Sequence, residues 1–465
     1  MPLERPFPDQ HVDELDAWLR GPLILPTDEA YDEARTVYNG MIDKRPAAVV
    51  AAADVADVMA TVDFCREHDV LLAIRGGGHN GPGLGTCDDG LVLDLSPMRG
   101  VRVDPGEGVV DVQGGCTWGD VDHATHGFGL ATPSGIISTT GVGGLTLGGG
   151  HGYLTRKYGL TVDNLISADV VLADGRLVTT DEHRHPDLFW AIRGGGGNFG
   201  VVTNFRLRLH PVDTVVAGPT VWPVDRTAEL VRWYDDFMAR ADRDVYGFFM
   251  TLTVPPGPRF PEELHGEKVC GVLWCHLGSP EQARADILEP VQEFGEPSFS
   301  HVEPMPYPAL QSAFDGLYPP GLHWYWKGHS VSELRDEAAE IIQEYGERLP
   351  TGLCTMHLYP VDGAPNDIPP EATAYRQRNA RWSQVFAGVA RDAEDIEKIR
   401  AWSRGHWQAL TPHVGETAYI NFLMADDDEV VRATYGDNYD RLQRIKAEYD
   451  PTNLFRVNQN IPAGG

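Results

Sequence analysis

Residues 141–152 read GVGGLTLGGGHG, and seven of these twelve residues are glycine. Glycine forfeits backbone entropy in a helix and offers a strand no side chain to pack, so this density predicts neither element. It predicts backbone that turns sharply and lies close to a flat or charged ligand. Two further glycine clusters flank it. Upstream, RGGGHN (75–80) follows the apolar run VLLAI (70–74) directly. Three glycines after a buried strand let successive N–H groups converge on an anion, although a lone GGG before a histidine is more often a surface turn. Downstream, RGGGGNFG spans 193–200, and Gly195, Gly197 and Gly200 fit the GxGxxG dinucleotide spacing. There the helical run DLFWAIR precedes the glycines and the strand-like VVTNFRLRLHPV follows them, the reverse of a Rossmann turn, so a Rossmann nicotinamide site is excluded.

Around these clusters, residues 47–212 alternate helical and β-rich runs. AAVVAAADVADVMATVDFCREHD has helical spacing, and strands are predicted at VLLAI, LVLDL (91–95), VRVD (101–104) and VVDVQ (109–113). TWGDVDHATHGFG reads as a helix ending in glycine, and ADVVLADGRLVTT as a hairpin turning at Ala173-Asp174-Gly175. After Pro211 the glycine clusters cease. Alternating strands such as VYGFFMTLTV, KVCGVLWCHL and LHWYWKGHSV interleave with helical stretches such as SELRDEAAEIIQEYGERL. That half predicts an antiparallel sheet with helices on one face. A helix over YGDNYDRLQRIKAEYD and the tail PTNLFRVNQNIPAGG close the chain. The expected division is 1–212, with a core from about 42, then 213–430 and 431–465.

Composition bounds the function. The 465 residues exceed what one core usually organises. With 38 basic and 68 acidic residues, the formal net charge is −30, which disfavours nucleic acid and anionic membranes as partners. Only six of the basic residues are lysine, a bias expected of a salt-adapted source and also of a GC-rich genome that replaces lysine with arginine. The cysteines at 65, 87, 116, 270, 275 and 354 lack the paired spacing of a zinc site and read as buried free thiols of a reducing compartment. The acidic N-terminus lacks the basic and apolar regions of a signal peptide, and no apolar run reaches the length of a membrane span, so a soluble, cytoplasmic protein is expected.

Four long motifs occur in order: RGGGHN, SGIISTTGVGGLTLGGGHGYLTRKYGLTVDN (134–164), DLFWAIRGGGGNFGVVT (187–203) and YDPTNLFRVNQNI (449–461). Together they resemble the berberine-bridge-enzyme-like flavoproteins of the vanillyl-alcohol-oxidase superfamily. The resemblance implies an α+β fold, with a PCMH-type FAD-binding domain beside an antiparallel substrate domain whose helices lie on one face. It implies FAD on Arg75, Gly76, Gly77, Gly78, His79 and Asn80 of the first motif. The second motif adds Ser138, Thr139, Thr140, Gly141, Gly143, Gly144, Leu145, Gly148, Gly149 and Gly152, and the later motifs add Val202 and Asn458. The family's motif histidine, here His79, bonds the flavin 8α carbon. A second link through cysteine is common in a GxCPTVGxGG pattern, but Ile137 stands at the cysteine position, so one covalent link through His79 is expected.

The implied activity is that of an oxidase. Hydride passes from a small alcohol, sugar or amine to flavin N5, and electrons then pass to O2 to give H2O2. A dehydrogenase with another acceptor and a catalytically idle flavin-binding protein are the alternatives. Such oxidation needs a group to take the O–H or N–H proton. His151 stands where several members carry tyrosine, and its ring suits a base or a packed aromatic equally. In the strand often reading Y-x-N-Y, Tyr419 keeps the first tyrosine, usually structural, while Phe422 replaces the second. Asp367 lies near a glutamate base of the plant enzymes, or is a solvated loop residue. Trp324, Tyr325, Trp326 and Lys327 form an aromatic strand read either as a pocket wall or as plain core. Thr140 stands where family members gate oxygen. Its valine-like volume keeps that space open.

Overall fold

A computed structural model describes residues 9–425 and 428–464; the first eight residues of the N-terminal lead-in and the last glycine lie outside them. The fold is α+β. Near the N-terminus, Ala48–Ala51, Leu91–Asp94 and Leu72–Arg75 run parallel, with Leu23–Ile24 antiparallel at the edge. Parallel strands need a crossover, and the helix Val55–Glu67 carries the chain from Ala48–Ala51 to Leu72–Arg75, which flank Leu91–Asp94 on either side. The single helix expected from residue 47 is therefore a strand followed by a helix. Asp54 separates them, because its carboxylate accepts from the N–H groups of Ala56 and Asp57 and caps the helix.

A five-stranded antiparallel sheet packs beside this unit, in the order Val101–Asp104, Val109–Gln113, Val201–Arg208, Leu165–Val171, Leu177–Thr180. Its core includes Trp118, Val170 and Phe205, all fully buried. The stretch 141–152 differs from expectation in one respect: Val142–Leu147 forms a short helix. Glycine here removes side chains from a turn pressed between backbones, and tertiary contact outweighs its poor helix propensity.

The chain from 214 to 390 supplies an antiparallel sheet in the order Phe299–Ser300, Thr214–Pro223, Lys268–His276, Val245–Thr253, Thr355–Pro360, Trp382–Ala390, His323–Val331, with Glu303–Pro306 also on Thr214–Pro223. Helices Thr227–Arg240, Asp336–Gly346 and Ile396–Val414 cover one face, closing a core around Trp222, Trp274, Trp382 and Phe386. The period of two then assigns sides. On Thr355–Pro360, Met356 and Leu358 enter the helix-side core, which leaves Thr355, His357 and Tyr359 on the opposite face.

The C-terminal helix Tyr439–Tyr449 returns to pack with Pro186–Ile192 in the first core. Its anchor is the buried pair Lys446–Asp450 at 2.6 Å. Lys446 also donates to the carbonyls of Asn198 (2.8 Å) and Phe455 (2.9 Å), and Asp450 accepts from the N–H groups of Leu454 and Phe455. Every charge is thus satisfied, the condition for a buried pair to be tolerated. The six cysteines are all free and buried. Among the described residues no helix is long and apolar enough to cross a membrane, and no cluster of three or more His, Cys, Asp or Glu is arranged to hold a metal.

Candidate active site

A cleft of about 2120 Å³, including its open mouth, runs between the glycine loops and the free face of the large sheet. At its floor the first two glycine motifs meet backbone to backbone. A Cβ on Gly77 would fall 2.4 Å from the nitrogen of Gly141, and one on Gly141 would fall 2.3 Å from the nitrogen of Gly77. No side chain fits between them.

His79 projects into the cleft from this junction. Its ring stacks on Tyr38 at 3.9 Å and 16°, and Nδ1 lies 3.5 Å from Thr140 Oγ1. Tyr38 is fixed in turn by donating its hydroxyl to the Tyr318 carbonyl at 2.6 Å. Burial lowers the His79 pKa to about 4, against a hydrogen bond with the Thr139 backbone that raises it. The ring is therefore neutral near pH 7, with a lone pair free to bond carbon. Ile137 lines the cleft, and no cysteine among the described residues does; Cys116 instead faces the Gly100 carbonyl at 3.6 Å.

Other residues expected at the cofactor divide into two groups. Arg75, Gly76, Gly77, Gly78, Asn80, Thr140, Gly141, Gly143, Gly144, Leu145, Val202 and Asn458 line the cleft with His79. Ser138, Thr139, Gly148, Gly149 and Gly152 do not. The Ser138 hydroxyl donates to Asp315, and a Cβ on Gly148, Gly149 or Gly152 would strike Asn421, Tyr375 or the Ser134 carbonyl. These glycines shape the loop from behind. The cradle fits a flat, many-acceptor ligand such as FAD. At Gly144 and Gly197 a Cβ would meet only open space, so the cleft reaches bare backbone there. Asn458 Oδ1 is buried at the same end with no protein partner.

His151 lies at the other end, buried beneath Tyr419 (4.6 Å), Tyr359 (5.2 Å) and Phe422 (5.7 Å). Burial lowers its pKa to about 3. It is a neutral ring in the cleft wall whose two nitrogens have no protein partner. Tyr419 lines the cleft, but its hydroxyl accepts from the N–H of Gly150 (2.9 Å) and from Asn421 Nδ2 (2.8 Å). Burial pushes it up to about 12. It braces the glycine loop. Asp367 must be corrected as a candidate base: it is exposed, outside the cleft, and gripped by Arg243 at 2.7 and 2.9 Å, which holds its carboxyl below the usual range.

Trp324 and Trp326 form part of the wall. Sequence reading missed Tyr38, Thr355, His357 and Tyr359. The alternation of TMHLYP (355–360) carries a signal for the last three, since polar residues at every second position of a buried strand need a polar destination.

Two family models match the chain, one for the FAD binding domain over residues 46–181 and one described as berberine and berberine like over 418–462. An FAD-linked oxidoreductase of Dictyostelium discoideum is 32% identical over 456 residues, covering 97% of each chain. The (R)-6-hydroxynicotine oxidase of Paenarthrobacter nicotinovorans is 28% identical, covering 96% of this chain and 98% of its own. The crystal structure of 6-hydroxy-D-nicotine oxidase from Arthrobacter nicotinovorans superposes with a TM-score of 0.85 at 27% identity, over 96% of this chain and 98% of that one.

Proposed function

The chain belongs to the berberine-like FAD-linked oxidoreductases, and from that membership we propose an oxidase that holds FAD through one covalent bond to His79 and oxidises a small, uncharged hydroxyl compound at the expense of O2. The observation that supports the linkage is the His79 ring, stacked on Tyr38 beside the Gly77–Gly141 contact, in a cleft lined by no cysteine among the described residues. FAD supplies a two-electron acceptor when bound. The protein's part is to bind, orient and shield.

Charge narrows the substrate. Arg75 is the sole Arg, Lys, Asp or Glu among the described residues lining the cleft, and Asp94 pairs with it at 2.8 Å. His79, His151 and His357 are held neutral by burial. A cleft without a free counter-charge rejects carboxylates and protonated amines, because burying an unpaired charge is costly. Neutral alcohols and reducing sugars satisfy it, and an amine would enter unprotonated. The test is anaerobic stopped-flow bleaching of the flavin by neutral alcohols and sugars against their carboxylate and ammonium analogues. Bleaching by the neutral set is expected, and the reading fails if only charged compounds reduce the flavin. His151→Phe should slow that bleaching about tenfold, the worth of one hydrogen bond to substrate, with flavin content unchanged.

Thr140 supports oxygen as the acceptor. Its hydroxyl turns to His79 Nδ1, so the side chain presents little polarity elsewhere in the cleft. Reduced enzyme mixed with air-saturated buffer should reoxidise in under about a second and release peroxide. Thr140→Leu, which adds bulk to a packed wall, should slow reoxidation at least tenfold while leaving bleaching by substrate nearly unchanged. Wild-type reoxidation over minutes would indicate a dehydrogenase.

A further inference from the structure

The strand Thr355–Pro360 carries a hydrogen-bonded chain whose direction the geometry fixes. The Thr355 hydroxyl donates to the Thr251 carbonyl at 2.9 Å. Its single proton is thereby committed, so toward His357 Nε2, also at 2.9 Å, it acts as acceptor. His357 is then protonated on Nε2, which leaves a lone pair on Nδ1. Nδ1 lies 2.5 Å from the Tyr359 hydroxyl, so Tyr359 is the donor in that bond. With its proton turned toward His357, the phenol oxygen offers its free lone pairs away from the imidazole. Thr355, His357 and Tyr359 all line the cleft, and the Tyr359 ring lies 5.2 Å from that of His151.

We propose that Tyr359, backed by His357, is the group that takes the hydroxyl proton of the substrate. The inference rests on the oxidase reading above. As the substrate carbon gives up its hydrogen with the electron pair to the flavin, the substrate O–H bond breaks and its proton bonds to the Tyr359 oxygen. The proton already on Tyr359 passes to His357 Nδ1. The products are a carbonyl compound, a flavin reduced by two electrons, an unchanged tyrosine and an imidazolium that still donates from Nε2 to Thr355. Tyr359 is the catalytic residue, and His357 positions it and stores the proton.

Burial lowers the His357 pKa to about 3 and raises that of Tyr359 well above its ordinary value. The resting pair is therefore neutral phenol and neutral imidazole, with Nδ1 ready to accept. A weakly basic imidazole suffices, because a carbonyl still carrying the hydroxyl proton is a far stronger acid than an imidazolium. The titratable side chains around the pair are His151 and Tyr318 in the cleft and Tyr153 and Tyr246 behind it; burial lowers the first and raises the three phenols, so none is charged near pH 7. Phe422, whose ring borders those of His151 and Tyr359, cannot accept a proton in their place.

The first measurement needs no substrate. In ¹⁵N-histidine-labelled holoprotein, with the signal assigned through His357→Gln, NMR should show Nε2 protonated and Nδ1 unprotonated at pH 7. The Nδ1 shift should move in Tyr359→Phe. The opposite tautomer would point the Tyr359 proton into the cleft and overturn the assignment. In stopped-flow reduction with benzyl alcohol and with cellobiose, Tyr359→Phe should lower the bleaching rate about 10²–10⁴-fold, the usual worth of a positioned proton acceptor, with flavin content and melting temperature unchanged. His357→Gln should lower it less and add a pH dependence absent from the wild type. A Tyr359→Phe rate within threefold of wild type overturns Tyr359 alone. A wild type bleached by neither compound contradicts the oxidase reading and takes the proton step with it.

Discussion

His79→Ala should fold, bind FAD only reversibly, and release every flavin molecule into the supernatant on acid precipitation, whereas the wild-type pellet stays yellow. The side chain removed makes few structural contacts: a ring stack on Tyr38, a 3.5 Å approach to Thr140 and a hydrogen bond to the Thr139 backbone. The glycine floor beneath it is backbone and is left intact. The melting temperature should then depend on added FAD, since a dissociable ligand at 100 times its Kd stabilises by about 2.7 kcal/mol and at low concentration by almost nothing. A covalent bond to His79 would also make the flavin a better electron acceptor, so reduction of FAD-saturated His79→Ala by substrate should be about tenfold slower, or ~1.4 kcal/mol. The measurements are flavin absorbance after precipitation, melting curves with and without FAD, and stopped-flow bleaching.

Gly141→Ala should damage the fold where Gly144→Ala does not. The new methyl at 141 would sit 2.3 Å from Gly77 N and 2.7 Å from its Cα, backbone atoms that no rotamer change can move aside. Separating the two loops costs at least the ~1–3 kcal/mol of ordinary overpacking, or roughly 2–4 °C in melting temperature per kcal/mol for a domain of this size. It also displaces His79 from Thr140, so covalent flavin should fall by most of its wild-type content. At Gly144 the methyl meets nothing within 4 Å and points into the cleft. That variant should melt like wild-type apoprotein and lose flavin occupancy only. Equal melting temperatures for the two variants would show that the 77–141 contact is not what sets the cofactor floor.

The sequence was informative where chemistry is local. Glycine density at 75–80 and 141–152 marked the cradle, because bare backbone is visible in composition, and Ile137 lines the cleft where the family motif has a cysteine. The antiparallel sheet beyond Pro211 was legible through alternation on strands such as Val245–Thr253. What stayed hidden depends on tertiary placement. Gly148, Gly149 and Gly152 look identical in sequence to Gly144, yet they face protein. Asp367 resembles a family base in position but points at Arg243 across the surface. Ala48–Ala51 has the spacing of the helix that follows it, and only pairing with Leu91–Asp94 makes it a strand. His357 and Tyr359 could be placed on one face of a strand, but which face meets the cleft is a matter of register, and a slip of one residue reverses it.

The mass of the denatured wild-type chain decides whether His79 carries the flavin. A single species is expected, heavier than the polypeptide by one FAD less two hydrogen atoms, with the added mass on the tryptic peptide that contains His79. An unmodified chain, with all the yellow colour left in solution, would contradict it.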